Sequence, residues 1–294
     1  MYHAEKISDQ YQQLRNAFQQ GPVRLFYAAK ALTNQHVLRH IRDLGCDVDC
    51  SSINEVHLAL RAGFSPDRIL YTSNSIDFSE LEAAQQAGVH LNIDSLSNLE
   101  KFGRKFSSSY PVGIRLRPNI LAGGNLKIST GHSSSKFGVP LEQLDAVQDI
   151  VRQTGLVIYA LHIHTGSEIK EVAVFFQGVE LLLGLLPQFP AVQVIDLGGG
   201  FKVPYAPGET GTDIAGLGQQ LAARFPAIAD RVAQVDAVDA GMQSWIGRHT
   251  IAACIRQFAS AGIPCGPIAP VDGFPREANL EHRAMIRKIG RAHV

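Results

Sequence analysis

The sequence predicts an α/β fold, a (β/α)8 TIM-type barrel, and three observations carry that expectation. Short β-rich runs alternate with helical stretches up to about Phe225; most of those runs are continuously apolar; and polar residues collect at or just past their C-terminal ends. Continuous apolar runs fit parallel strands buried on both sides, and strand–helix units in series fit a parallel sheet. A doubly wound sheet shares that pattern, but it brings together only the strand ends near its switch point, whereas a barrel gathers them all around one pocket. With 294 residues, 45% of them hydrophobic, the chain can fill a barrel core.

The elements follow in order. Val23–Tyr27 is the first predicted strand and runs on towards Lys30; Asn34–Leu44 then carries apolar residues every three or four positions, as a helix does. Cys46–Cys50 is the second strand, with Asp49 and Ser51 at its end, and Ser52–Ala62 is the helix after it. Arg68–Tyr71, Asp77–Ala87 and Val89–Asp94 continue the strand–helix–strand pattern, and Val112–Arg117 is a strand with Arg115 inside it. Leu156–His162 leads to His164 and Ser167, Phe175–Leu186 is helical, and Val192–Leu197 leads into Gly198, Gly199 and Gly200. Gly45, Gly63 and Gly88 stand where glycine ends a helix. Clear strands stop near Phe225: Ala222–Ile255 reads as mostly helical and Gly262–Pro275 is punctuated by glycine and proline. The expectation is a barrel domain over residues 1–225 without its eighth strand, then a mostly helical tail over 226–294.

Composition narrows the function. Acidic and basic residues balance at 27 each, so no global field draws nucleic acid or an anionic membrane, and a small molecule is the expected partner. Residues 1–20 lack the apolar core of a signal peptide, and the run Val179–Pro187 is too short to span a bilayer. Cys46, Cys50, Cys254 and Cys265 form no C-x-x-C pair, which fits a reducing cytoplasm.

Several residues have the chemistry of a site, each beside a plainer reading. Lys30 follows an apolar strand, a setting that suits an amine that must be neutral to attack a carbonyl; a strand-end lysine reaching for solvent gives the same pattern. Gly198–Gly200 leaves backbone N–H groups free to approach a phosphate, or is only a tight turn. His162 and His164 would share a face of a regular strand, yet no third ligand lies nearby for zinc, so no metal site is expected. Asp49 and Glu55 lie at a strand end and on the next helix, where carboxylates also serve as dipole partners. Arg115, inside an apolar strand, needs an anionic partner.

Seven segments then occur in one order: Phe26–Ala31, Asp49–Ser52 with Glu55, Gly113–Asn119, Lys127–Gly131, Lys136–Gly138, Leu161–Ser167 and Asp196–Gly200. Together they resemble the fold-type III pyridoxal-phosphate decarboxylases, a family with an alanine-racemase-like barrel, over about Tyr2–Phe225. The resemblance implies pyridoxal 5′-phosphate as cofactor, Lys30 as the lysine that holds it covalently, and His164 as the ring stacked upon it. It further implies that Ser167 and Gly198, Gly199 and Gly200 hold the phosphate, with Asp49, Glu55 and Arg115 as a polar wall. Ile128–Gly131 and the paired histidines are most similar to the diaminopimelate branch, which implies decarboxylation of meso-diaminopimelate to L-lysine, in lysine biosynthesis. Carboxynorspermidine, ornithine and arginine decarboxylases, and a racemase on the same barrel, stay open.

The resemblance then stops. The family continues with an eighth strand bearing Glu-Pro-Gly-Arg and a β-domain whose cysteine and tyrosine complete the site, partly across a homodimer interface; none of these is recognisable here. Residues 235–287 instead resemble the C-terminal part of family III CoA-transferases, through Trp245, Ala261–Ile268, Glu277–Leu280, His282 and Arg283. Ile289–Val294 can be back-translated as ATC GGA AGA GCA CAC GTC, a choice of codons that matches a short-read sequencing adapter. The expectation is a tail of foreign origin and a chain that, as written, decarboxylates poorly.

Overall fold

Short, mostly apolar runs of two to six residues make the strands. In the computed structural model, which describes residues 2–19, 21–120, 131 and 135–225, they are β1 (Phe26–Ala28), β2 (Asp47–Cys50), β3 (Ile69–Thr72), β4 (His90–Ile93), β5 (Val112–Arg117), β6 (Val139–Pro140), β7 (Ile158–Ile163) and β8 (Val194–Asp196). All pair in parallel in the order β1-β2-β3-β4-β5-β7-β8, with the two-residue β6 set against the end of β5. The order follows the chain, as in a barrel, and among the described residues nothing pairs with the outer edge of β1 or of β8. The helices between them are α1 (Ala4–Ala17), α2 (Gln35–Asp43), α3 (Ile53–Arg61), α4 (Phe78–Gln86), α5 (Leu96–Phe106), α6 (Leu144–Thr154), α7 (Ala173–Leu185) and α8 (Ile214–Arg224).

Their ends are fixed locally. Asn34 Oδ1 accepts the N–H groups of His36 and Val37 to start α2, and Ser52 Oγ accepts that of Glu55 to start α3. Gly45, Gly63 and Gly88, read from the sequence as helix stops, take φ of +90°, +90° and +74°. Only glycine adopts such angles freely.

The strands sort their two faces more sharply than their sequences suggest. Val48, Cys50, Ile69, Tyr71, Leu91, Ile93, Val112, Ile114 and Leu116 pack outwards with helix residues such as Leu38, Val56, Leu81, Leu99 and Phe102 in one buried core. The alternate residues face the barrel interior: Asp47 and Asp49 on β2, Gly113 and Arg115 on β5, Ala160 and His162 on β7, Val194 and Asp196 on β8. Neighbouring strands register these residues directly, with Arg115 opposite His162 and His162 opposite Asp196. Runs that look evenly apolar are therefore a greasy outer face and a mixed inner one. A second small core, Ile169, Phe175, Phe176 and Leu217, ties the loop after β7 to α7 and α8. Helix α1 lies along α8, closely enough that a Cβ on Gly218 would meet the Ala17 carbonyl oxygen at 1.8 Å.

The N-terminal end of the barrel is closed by hydrogen bonds. Asp47 accepts from Arg24 Nε and Arg68 Nε, each at 2.8 Å, and Arg68 also donates to the Cys46 carbonyl. No helix among the described residues is long and apolar enough to cross a membrane.

Candidate active site

The C-terminal strand ends carry a different chemistry. Lys30 lies in the single turn after β1 rather than on the strand itself and is exposed. Asp49 on β2, Arg115 on β5, His162 on β7 and Asp196 on β8 point inwards, and Asp94 follows β4 directly. Arg115 is buried, and that burial draws its pKa down, while the carboxylates of Asp94, Asp49 and Asp196 push it back up. Its guanidinium also lies 4.9 Å from the centroid of the Phe137 ring, a cation–π distance.

Three acids thus face one guanidinium, and for Asp49 and Asp94 burial makes the charge costly. Asp49 is raised to about 7: burial is the largest cause, Asp196 adds repulsion, and a Thr72 hydrogen bond with the charges of Lys30 and Arg115 pulls the other way. Its Oδ1 is buried with no hydrogen-bond partner. Asp94 is also raised by burial, although Asn74 Nδ2 donates to its Oδ2 at 2.5 Å. Burial lowers both histidines, His162 to about 4 and His164 to about 3, with Arg115 pressing each further down. Both rings are therefore neutral at neutral pH. His162 Nδ1 is a second buried atom without a partner, and its Nε2 lies 3.9 Å from Asp196 Oδ2.

Beside these side chains the loops after β7 and β8 are stitched into one wall. Ile169 N–H donates to the Gly200 carbonyl at 2.9 Å, Lys202 N–H to the Ile169 carbonyl at 3.2 Å, and Gly131 N–H to the Thr165 carbonyl at 3.0 Å. Gly198 and Gly200 take φ of +66° and +93°. A Cβ on Gly200 would lie 1.9 Å from the Gly166 carbonyl oxygen, and one on Gly198 would lie 2.7 Å from His164 Nδ1. Gly199, by contrast, has nothing within 4 Å of that position. Bare backbone facing open space is the form an anion cradle takes.

Lys30 and Arg115 thus each act electrostatically on both Asp49 and His164, with the Gly198–Gly200 turn against His164. Ser167 is exposed on the stitched wall. Glu55 has a local occupation: its Oε2 accepts from Ser51 N–H at 2.7 Å and from the Ser51 hydroxyl at 3.1 Å. Of the Lys127–Gly131 segment only Gly131 is described; Lys127–Thr130, Cys254, Cys265 and the tail expected over 226–294 lie outside the described residues. Asp94 and Asp196 were not singled out by sequence, although each closes a strand as Asp49 does. Among the described residues no cluster of His, Cys, Asp and Glu is placed to hold a metal ion.

Known proteins resemble this chain in sequence and fold. The pyridoxal-binding domain of the pyridoxal-dependent decarboxylases matches residues 4–238, and family III of the CoA-transferases matches residues 212–294. The diaminopimelate decarboxylase of Methanothermobacter thermautotrophicus is 34% identical over 227 residues, 75% of this chain and 53% of the relative. That of Escherichia coli K12 is 32% identical over 192 residues, 64% of this chain and 45% of the relative. The Helicobacter pylori diaminopimelate decarboxylase complexed with L-lysine superposes with a TM-score of 0.69 at 25% identity, covering 78% of this chain and 60% of that one. The chain spans about half the length of these curated relatives.

Proposed function

We infer the activity from one premise: this chain belongs to the pyridoxal-dependent decarboxylases, and the part matched is their pyridoxal-binding domain. The proposed reaction is decarboxylation of meso-diaminopimelate to L-lysine with pyridoxal 5′-phosphate, a carboxy-lyase activity. The carrying observation is one strand-end cluster, Lys30, Asp49, Arg115 and His164, beside a glycine turn, Gly198–Gly200, packed against His164 and Gly166 and open at Gly199. The diaminopimelate decarboxylases among the relatives support the choice of substrate.

The residues fit the cofactor. When bound, pyridoxal phosphate delocalises the electron pair left behind as carbon dioxide departs. Lys30 would hold it covalently, for which its amine must shed a proton. Asp49, whose carboxyl burial lifts to about 7 and which feels the charge of Lys30, would be the group that takes up the proton shed by that amine. The neutral His164 ring would pack against the cofactor's face without adding charge there. The Ser167 hydroxyl and the Gly200 N–H would donate to the phosphate, since the Gly198 and Gly199 N–H groups are already given to Asp196 and His164. Arg115 and Glu55 complete the polar wall, Glu55 through the Ser51 turn that it braces.

Adding pyridoxal phosphate and recording the absorbance tests the cofactor; carbon dioxide release from meso-diaminopimelate tests the reaction. Release from ornithine, arginine or carboxynorspermidine instead would move the substrate, and racemisation without release would move the reaction class. For the tail we propose an origin separate from the barrel, supported by the CoA-transferase match. The nucleotides encoding Ile289–Val294 test its adapter part, and any other codons there overturn it.

A further inference from the structure

We propose that Asp196 is a positioning residue: its carboxylate shapes the Gly198–Gly200 turn, and the turn fixes His164 with its proton on Nε2. Asp196 Oδ1 accepts the Gly198 N–H at 2.8 Å. A carboxylate bonded to the backbone two residues on closes an Asx-turn, which mimics a backbone turn and bends the chain locally. Here it turns the chain out of β8 into the positive φ of Gly198.

The bend brings two backbone groups onto His164. Gly198 lies so close that a Cβ would be 2.7 Å from His164 Nδ1 and 2.8 Å from the Ile163 carbonyl oxygen. The Gly199 N–H then donates to His164 Nδ1 at 3.4 Å. An imidazole nitrogen that accepts a hydrogen bond carries no proton, so the neutral ring keeps its proton on the other nitrogen. Burial, followed by the nearby Arg115, keeps that ring neutral and so preserves the arrangement. The other carboxylate oxygen lies 3.9 Å from His162 Nε2, beyond hydrogen-bond length, so the hydrogen bond to the turn is the shorter tie. The consequence for the cofactor rests on the proposed function: a ring stacked on a flat heterocycle needs one orientation, one tautomer and no charge.

Three proteins test this: the parent, Asp196→Asn, which keeps the oxygen acceptor, and Asp196→Ala, which removes it. Nitrogen NMR of the cofactor-free proteins, labelled in histidine and assigned by His164→Ala, reads the tautomer. The parent and Asp196→Asn should both show His164 protonated at Nε2, and Asp196→Ala should show a mixture of tautomers. Pyridoxal phosphate affinity should change less than about twofold in Asp196→Asn and fall about fivefold to tenfold in Asp196→Ala, the size of one net hydrogen bond. Should Asp196→Ala not fold, Asp196→Glu replaces it, since its longer arm cannot close the same turn, and the same losses are expected. An unchanged His164 signal in the alanine and glutamate variants, or a changed one in Asp196→Asn, overturns the proposal. If the parent takes up no pyridoxal phosphate the cofactor reading fails, while the histidine signals still decide the role of Asp196.

Discussion

Asp47 and Asp49 stand two residues apart on β2 and face the same interior, one at each end of the barrel. Asp47 is held between two arginines, and those bonds tie the chain before β1 and the turn before β3 to the start of β2. Asp49 has a buried oxygen without a partner and a carboxyl that burial lifts to about 7. One residue type on one strand thus serves two ends. The N-terminal end satisfies its charges and holds strands together, while the C-terminal end leaves polar capacity for something the strands do not supply.

The hardest test of that contrast is Lys30. At the C-terminal end a charged side chain should be removable without harm to the fold, yet indispensable to covalent chemistry. Lys30→Ala should abolish a borohydride-fixed pyridoxyl label while the thermal melt stays near that of the parent, since Lys30 is exposed. Peptide mapping checks the site, and a label on Lys127 or Lys136 would overturn the assignment.

The two aspartates give the next largest effect. Removing one member of a buried ion pair leaves the other stranded, at about 3–5 kcal/mol. Here Arg24 and Arg68 keep 52% and 27% of their side chains in solvent, so Asp47→Ala should cost less, about 2 kcal/mol. Asp49→Asn removes a charge that burial penalises, on a carboxylate whose Oδ1 has no partner, and should leave stability within about 1 kcal/mol of the parent or raise it. Urea denaturation of both variants decides; if Asp49→Asn proves the more damaging, the ends have been assigned the wrong way round.

How far the sequence reveals this contrast depends on the element. Strands two to seven of the expected barrel were legible because β-branched apolar runs sit between glycine stops, and Val112–Arg117 has the bounds expected of it. The interior face was not, because residues such as Gly113 and Ala160 make a run look evenly apolar although Arg115 and His162 share their side of the sheet. Helix α5 was not expected, although Ser95 as cap and Leu96, Leu99, Phe102 and Phe106 at helical spacing gave a signal for it; α1 was not expected either, and its Ile7, Tyr11 and Leu14 stand at the same spacing but none is fully buried. Of the site, Lys30, His164 and the glycines could be found through chemistry and resemblance. Asp94 and Asp196 are visible only once the strand ends converge, since charges at strand ends are common and the sequence does not say which of them meet.

The pH dependence sharpens the contrast further. Asp49 rises from 3.8 to about 7 on folding, so the native chain holds a proton that the unfolded chain releases between those values. Its contribution to stability is full below the unfolded value and is lost as pH rises through about 7. His162 and His164 run the other way: their folded values fall from 6.5 to about 4 and about 3, so their contribution is present above 6.5 and lost as pH falls through the lower values. The parent's unfolding free energy minus that of Asp49→Asn should therefore decline as pH rises from about 5 to about 8. A difference that does not vary with pH would mean that Asp49 titrates as an ordinary carboxylate.

The smallest expected effect lies within the C-terminal end itself, between two histidines on one strand exit. His162 belongs to β7, registers with Arg115 and Asp196, and is almost wholly buried, so its loss opens a hole in the barrel interior. His164 lies one residue past the strand, against Gly198 and under Gly199, where a pocket at the strand ends is built. His164→Ala should therefore weaken pyridoxal phosphate by the loss of ring stacking, on the order of 1 kcal/mol or about fivefold. His162→Ala should instead lower stability through its cavity and leave affinity closer to the parent's. Titrating both variants with pyridoxal phosphate, beside their urea curves, separates the two roles. An equal or larger loss of affinity in His162→Ala would mean that the pocket reaches deeper than the strand end and that the division between a structural floor and a chemical rim is drawn one layer too high.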